Sequence, residues 1–257
     1  MKRVARSAHE AEARASDLRT GPVSIDVCAG CPVRDRALCR CLNDQERLVL
    51  TGLCQRRRVA AGETVMWAGE DSRICANLLS GVLKAVAATA DGREQIVGLS
   101  YPADFVGEPY AAEIGFTITA LTDAELCTFP RRPFERFLEQ HARMGNLLLQ
   151  RTLKALSEAR ARMLTLARLS AGEKVAELLL DMAVRAGTSA GRPGLEEPVT
   201  FELPMTRGHM ADVLGMTIET VSRQLTKLKG AGVIVLSGAR TVTIVDARGL
   251  RRRAVAA

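Results

Sequence analysis

A chain of 257 residues, 47% hydrophobic and 25% charged, can hold one large or two ordinary globular domains, each with its own core. No apolar run approaches the ~20 residues of a membrane span, and the opening "MKRVARSAHEAEARASDLRT" lacks the apolar stretch of a secretory signal, so the expected compartment is cytoplasmic, where thiols stay reduced. The net charge of +7 is uneven: residues 25–199 carry 22 charges of each sign, whereas 200–257 carry nine Lys/Arg against four Asp/Glu, the footprint of a small nucleic-acid-binding domain on a neutral one.

Residues 1–24 show no apolar period and are expected to form a mobile tail. Next, "VCAGCPVRDRALCRC" places Cys28, Cys31, Cys39 and Cys41, four of the seven cysteines, within fourteen residues. An odd total in a reducing compartment makes a disulfide framework the weakest reading and a metal or cluster site the leading one. A local zinc site of these four thiolates is open at this point. From about 53 to 130 short apolar runs alternate with glycines at 62, 69, 81, 92, 98, 107 and 115. The clearest hairpin, "GVLKAVAATADGREQIVGL", turns at Asp91-Gly92. Turn signals at this spacing predict a small barrel or jelly roll, in which Cys54 and Cys75 sit in apolar contexts as buried thiols.

From about 133 the chain reads as one long helix, "FERFLEQHARMGNLLLQRTLKALSEARARMLTLARLS". Leu149, Leu153, Leu156, Arg160, Met163 and Ala167 follow the alternating four-three spacing of a coiled-coil seam, so the helix is expected to pair with a second copy. The alternative is that the stripe packs on its own barrel. Arg160 would weaken or tune the pairing. A second helix, "AGEKVAELLLDMAVRAG", is expected to stop at Gly187, and "TSAGRPGLEEP" reads as a surface loop.

The most specific stretch is "LPMTRGHMADVLGMTIETVSRQLTKLKGAGVIVLSGARTVTIVD". Thr206 caps a short helix, Gly215-Met216 turns, and Thr217 caps a second helix whose buried face is Val221, Leu225 and Leu228: a helix-turn-helix. "GVIVLSGARTVTIVD" reads as a two-stranded wing turning near Gly238-Ala239. The second helix exposes Glu219, Ser222 and Arg223 at the end that enters a major groove, where Arg can bond guanine and Glu can accept from cytosine. Thr206, Arg207, Thr217 and Lys227 are placed for phosphates. The bland reading is an i,i+4 salt bridge of Glu219 with Arg223 on an ordinary packing helix.

From Cys28 to Asp246 the chain resembles the FNR/CRP transcription regulators, and "ETVSRQL" fits the FNR branch. The resemblance implies an α+β chain in four parts: a tail (1–24), an iron–sulfur sensor segment with a β-roll (25–142), a dimerisation helix (143–170) and a winged helix-turn-helix (171–257). It implies a homodimer on double-stranded DNA at a palindrome like TTGAT-N4-ATCAA, with RNA polymerase as a further partner and no membrane. It also implies an oxygen-sensing 4Fe–4S cluster on Cys28, Cys31, Cys39 and Cys127, in a Cys-x2-Cys-x7-Cys spacing that looks like the alphaproteobacterial branch. Cys41 in place of Cys39, and zinc in place of the cluster, stay open. A cAMP site is disfavoured, because Gly107-Glu108 is followed by "FTITAL" where the phosphate-binding Arg of such sites would stand. An enzyme is not expected. His9, His141 and His209 are too dispersed to make a cupin centre, and no nucleophile triad, P-loop or Rossmann pattern is present.

Overall fold

The computed structural model describes residues 28, 30–89, 92, 94–189 and 198–254. The expected tail, Asp91 and most of the 188–198 loop lie outside the described residues. In chain order the elements are a 3-10 turn (Leu38–Cys41), α1 (Asp44–Thr51), β1 (Gln55–Val59), β2 (Thr64–Met66), β3 (Ile74–Ser80), β4 (Leu83–Ala88), β5 (Glu94–Ser100), β6 (Phe105–Val106), β7 (Thr117–Ala120) and β8 (Ala124–Pro130). There follow α2 (Arg131–Gln140), α3 (Ala142–Arg168), α4 (Ala171–Ser189), β9 (Val199–Glu202), α5 (Arg207–Leu214), α6 (Ile218–Gly230), β10 (Ile234–Ser237), β11 (Thr241–Ile244) and α7 (Ala247–Ala254).

The predicted jelly roll is present as two four-stranded antiparallel sheets, ordered β1-β8-β3-β6 and β2-β7-β4-β5. Val59, Leu78, Leu83, Val106, Ala120 and Leu126 fill the space between them. Strand alternation sends the neighbours of these residues outward. Cys75 and Phe129 therefore reach the opposite face of the first sheet, where Leu38, Leu50, Phe134, Phe137, Met144 and Leu147 cover them. This helical layer is built from the N-terminal segment, α1, α2 and the start of α3, and it holds the cysteines. Asn43 fixes the entry of α1 with a capping box, accepting from the Glu46 N–H at 2.8 Å while the Glu46 carboxylate accepts from the Asn43 N–H at 2.9 Å.

Three expectations need correction. The helix from 133 is broken at His141, whose backbone (φ −124°, ψ 73°) leaves the helical region. The His141 ring stacks on Phe137 at 3.8 Å and its Nδ1 lies 2.7 Å from the Phe137 carbonyl, which gives the break its own partners. The second helix passes through Gly187 to Ser189. The wing has a third strand, β9, paired with β11 from Val199↔Ile244 to Glu202↔Thr241.

The C-terminal helix-turn-helix is not a separate bead. Val86, Ile96 and Leu121 of the roll share one core with Val175, Leu179, Met210, Val213 and Leu214. The Gln95 amide of β5 donates to the carbonyls of Asp212 and Val213 at the end of α5. Gly107, in the turn flagged as a cyclic-nucleotide motif, has φ +105°, and a Cβ there would stand 3.0 Å from the backbone of Cys75 and Ile74. Its glycine is thus a packing requirement.

Candidate functional site

The helix pair α5/α6 forms as its sequence prescribes. Thr206 Oγ1 accepts from the His209 N–H at 3.2 Å, and Thr217 Oγ1 from the Thr220 N–H at 3.3 Å. Between the helices Gly215 takes the left-handed conformation (φ 60°, ψ 45°) that closes α5. Val221, Leu225 and Leu228 are buried against α5 and the wing, and the opposite face exposes Glu219, Arg223, Thr226 and Lys227. No ion pair joins Glu219 to Arg223 among the described residues. Its own backbone N–H and the nearby Thr217 hydroxyl hold the Glu219 carboxylate below the usual carboxylate range. Arg223 is therefore available to an outside acceptor. Ser222 is half-buried, and its hydroxyl receives Arg207 Nη1 at 3.4 Å, so a predicted phosphate contact and a predicted base contact meet each other.

The second site lies on the outer face of the β1-β8-β3-β6 sheet. Cys127 is inside β8, with Arg56 across on β1 and Asn77 across on β3. A cavity of about 30 Å³ is lined by Cys28, Cys31, Cys39 and Cys127, and also by Cys54. Cys41 is off this wall and its thiol donates to the Leu38 carbonyl at 3.4 Å. Cys75 is buried but also elsewhere. Cys54 neighbours the thiols of both Cys28 and Cys127 on this wall, and Thr51 Oγ1 donates to Cys28 Sγ at 3.0 Å. The Cys54 thiol and burial push Cys28 well above the usual thiol range. Burial, then the neighbouring Cys31 and Cys28, pushes Cys39 up to about 11. Cys54 is pushed up to about 12, first by Cys127. Among the described residues no three His, Cys, Asp or Glu side chains are grouped so as to hold one metal ion.

Sequence reasoning placed Cys54 correctly as a buried thiol but missed that it faces the cavity. It also missed the polar wall. Arg47 is held by Asp44 (2.6 Å) and the Leu42 carbonyl (2.7 Å) through its terminal nitrogens, yet its Nε is buried without a partner. Arg34 Nε and Asn77 Oδ1 are buried and unpartnered in the same way, and all three residues line the cavity.

Helix α3 leaves the roll after Met144 and Leu147, which are buried. Beyond them Leu149, Leu153, Leu156 and Met163 are 57%, 56%, 46% and 68% exposed, so the stripe does not pack on its own barrel. Arg160 is exposed on the same helix, and Leu164, which the seam spacing did not include, is exposed beside Met163. Three elements grip this helix: Arg151 donates to the Arg36 carbonyl of the cysteine segment and to the Ala103 carbonyl of the roll, and Arg143 pairs with Glu46 of α1 at 2.8 Å.

Comparison with known proteins matches residues 56–141 to the cyclic nucleotide-binding domain and residues 173–253 to the Crp-like helix-turn-helix domain. The chain is 41% identical to the transcriptional activator protein FnrL of Cereibacter sphaeroides, over 88% of this chain and 90% of that one. It is 36% identical to the nitrogen fixation regulation protein FixK of Bradyrhizobium diazoefficiens, over 81% and 86%. Among solved structures, FixK2 from Bradyrhizobium japonicum superposes with a TM-score of 0.71 at 27% identity, covering 79% of this chain and 98% of that one. Among the described residues no helix is long and apolar enough to cross a membrane. With a nucleotide-binding-type roll, a long helix and an exposed reading helix in one chain, the protein belongs to the Crp/FNR family of DNA-binding transcription regulators.

Proposed function

We propose that this regulator responds to oxygen through a 4Fe–4S cluster held by Cys28, Cys31, Cys39 and Cys127, and that the cluster-bearing form is the DNA-binding dimer. The observation that carries the reading is the convergence of those four thiols on one cavity, although Cys127 lies 88 residues beyond Cys39. The donor set is of the right kind, since such clusters are held by four cysteine thiolates. The wall also suits an anionic group: two guanidinium N–H donors there lack partners. The local zinc reading is less well supported. One zinc would draw four sulfurs to within ~3.8 Å of each other, and Cys41, its required fourth ligand, faces Leu38 instead.

When bound, the cluster supplies an oxygen-labile staple between the N-terminal segment and β8. The chain's own residues pass its presence on. Cys39 lies in the 3-10 turn whose Leu38 packs with Met144 and Leu147 of α3, and Arg151 ties Arg36 to the same helix. The position of that segment therefore biases the seam Leu149–Met163. The dimer matters because one recognition helix has few base contacts, each worth ~1–3 kcal/mol, while two tethered half-sites approach the sum. The proposed site is a TTGAT-N4-ATCAA-like palindrome, the proposed output, by likeness to the transcriptional activator FnrL, is activation, and RNA polymerase is a proposed partner. Cyclic AMP is not proposed as an effector, since the Gly107-Glu108 turn is accounted for by packing and "FTITAL" supplies no cation for a phosphate.

Anaerobically purified protein is expected to be brown, with about four iron and four sulfide per chain. Colourless protein carrying one zinc would replace the cluster with a metal-bound sensor responding to another signal. For the reading helix, Arg223→Ala is expected to weaken the specific site by about 1–3 kcal/mol and to relax the preference at one guanine, whereas Lys227→Ala weakens all sequences alike and flattens the salt slope. Binding-site selection distinguishes them, and an unchanged base preference with Arg223→Ala would remove Arg223 from base reading.

A further inference from the structure

Two arginines stand on the wall of the thiol cavity for a reason the fold does not supply. Asp44 holds both from the solvent side, at 2.6 Å from Arg47 Nη1 and 3.9 Å from Arg34 Nη2. Arg47 is anchored further by the Leu42 carbonyl. Yet each keeps a buried Nε–H with no acceptor among the described residues. An unsatisfied buried donor on a charged group is costly unless something on that wall completes it. Asn77, 2% exposed and directly across from Cys127, leaves its Oδ1 unpartnered on the same wall. Among the described residues, the other groups on the wall are thiols, the Thr51 hydroxyl and apolar side chains. Thr51 is already engaged with Cys28 and the Arg47 carbonyl.

We propose that Arg47, assisted by Arg34, is a positioning residue that compensates the negative charge of the thiolate-held cluster and thereby slows its oxidation by molecular oxygen. The inference rests on the cluster reading above and deepens it. Four thiolates make the loaded site anionic, and reduction potential in such sites follows net charge and hydrogen bonding to the sulfurs. A fixed cation favours the more negative, reduced state, so electrons are harder to withdraw. Removing the cation lowers the potential and exposes the site to faster oxidation. Because Arg47 is only 14% exposed on its side chain, solvent screens it less than a surface arginine.

The test follows the visible absorbance of anaerobically prepared full-length protein after mixing with a fixed concentration of dissolved oxygen, alongside a redox titration and an iron and sulfide assay of each variant. Arg47→Gln is expected to keep its iron and sulfide, to shift to lower potential, and to lose absorbance roughly three- to tenfold faster. Arg34→Gln should move in the same direction by less. Arg47→Lys, which keeps the charge, should stay near the wild type, and Arg58→Gln, an exposed β1 control away from the cavity, should match it. Glutamine variants that hold a full cluster with wild-type rate and potential would overturn the proposal, as would Arg47→Lys behaving like Arg47→Gln. Should Arg47→Gln lose its cooperative thermal transition, Arg34→Gln alone decides. Wild-type protein without iron and sulfide would instead defeat the underlying cluster reading, an outcome the assay separates from the rest.

Discussion

Leu156→Asp is expected to give a folded monomer that no longer holds its specific DNA site. Leu156 lies at the middle of a stripe with Leu149, Leu153 and Met163, and each is about half exposed or more in the single chain. Such an exposed apolar run is the surface that the proposed pairing would bury. The roll and the DNA-side core do not use Leu156: the buried residues of α3 are Met144 and Leu147, at its start. The monomer should therefore keep its melting transition. In the dimer the substitution places a carboxylate from each chain in the seam without a partner, a desolvation cost of several kcal/mol, and specific affinity falls with the loss of the second half-site. Sedimentation and circular dichroism check this together. A Leu156→Asp protein that sediments as a dimer would move the interface elsewhere. Arg160→Leu should act oppositely, pairing even without the cluster, since it removes the one charge from the predicted seam; a cluster-free Arg160→Leu monomer at micromolar concentration would deny Arg160 that role.

Cys127→Ser is expected to abolish the anaerobic brown chromophore and the DNA binding that depends on it, while Cys41→Ser and Cys75→Ser retain both. Cys127 alone among the proposed ligands belongs to the roll, so without it the N-terminal thiols have no anchor in β8. Cys41 bonds a backbone carbonyl off the cavity, and Cys75 is buried among Phe129 and Phe134. Cys54→Ser is expected to hold iron and sulfide as well, because Cys54 lines the cavity as a buried neighbour outside the proposed ligand set. Iron and sulfide analysis of each purified variant reads the result. A full complement in Cys127→Ser would remove it from the ligand set, and loss in Cys41→Ser with retention in Cys39→Ser would exchange the third ligand.

What the sequence disclosed depended on how local each signal was. The helix-turn-helix is written in caps and a turn glycine within about one dozen residues, and Thr206, Gly215 and Thr217 do what their positions predict. The hairpin β4–β5 and the exposed apolar stripe of α3 follow from short periods in the same way. Long-range features were less visible. Strand β9 completes the wing only through pairing with β11 some forty residues later. It follows a stretch that composition marks as loop. Helix α7 was not anticipated, because "ARGLRRRA" shows little beyond charge, though Leu250 and Ala254 bury against α4. At the thiol site the outward direction of Cys127 is implicit in the alternation of "AELCTFP", in which Leu126 points inward and Phe129 outward. The polar wall is not implicit anywhere. Arg34, Arg47 and Asn77 come from a turn, a helix and a strand that only the folded roll brings together.

The central claim is that oxygen governs DNA binding through the cluster, and one measurement addresses it most directly: the affinity of a single anaerobic preparation for a duplex carrying the TTGAT-N4-ATCAA palindrome, before and after exposure to air, with iron and sulfide determined on the same samples. Tight, dimeric, sequence-specific binding is expected before exposure. After it, affinity should fall toward the non-specific level in parallel with the loss of sulfide, a drop of roughly 10³-fold or more. Equal affinity before and after air, with the iron and sulfide gone, would contradict it.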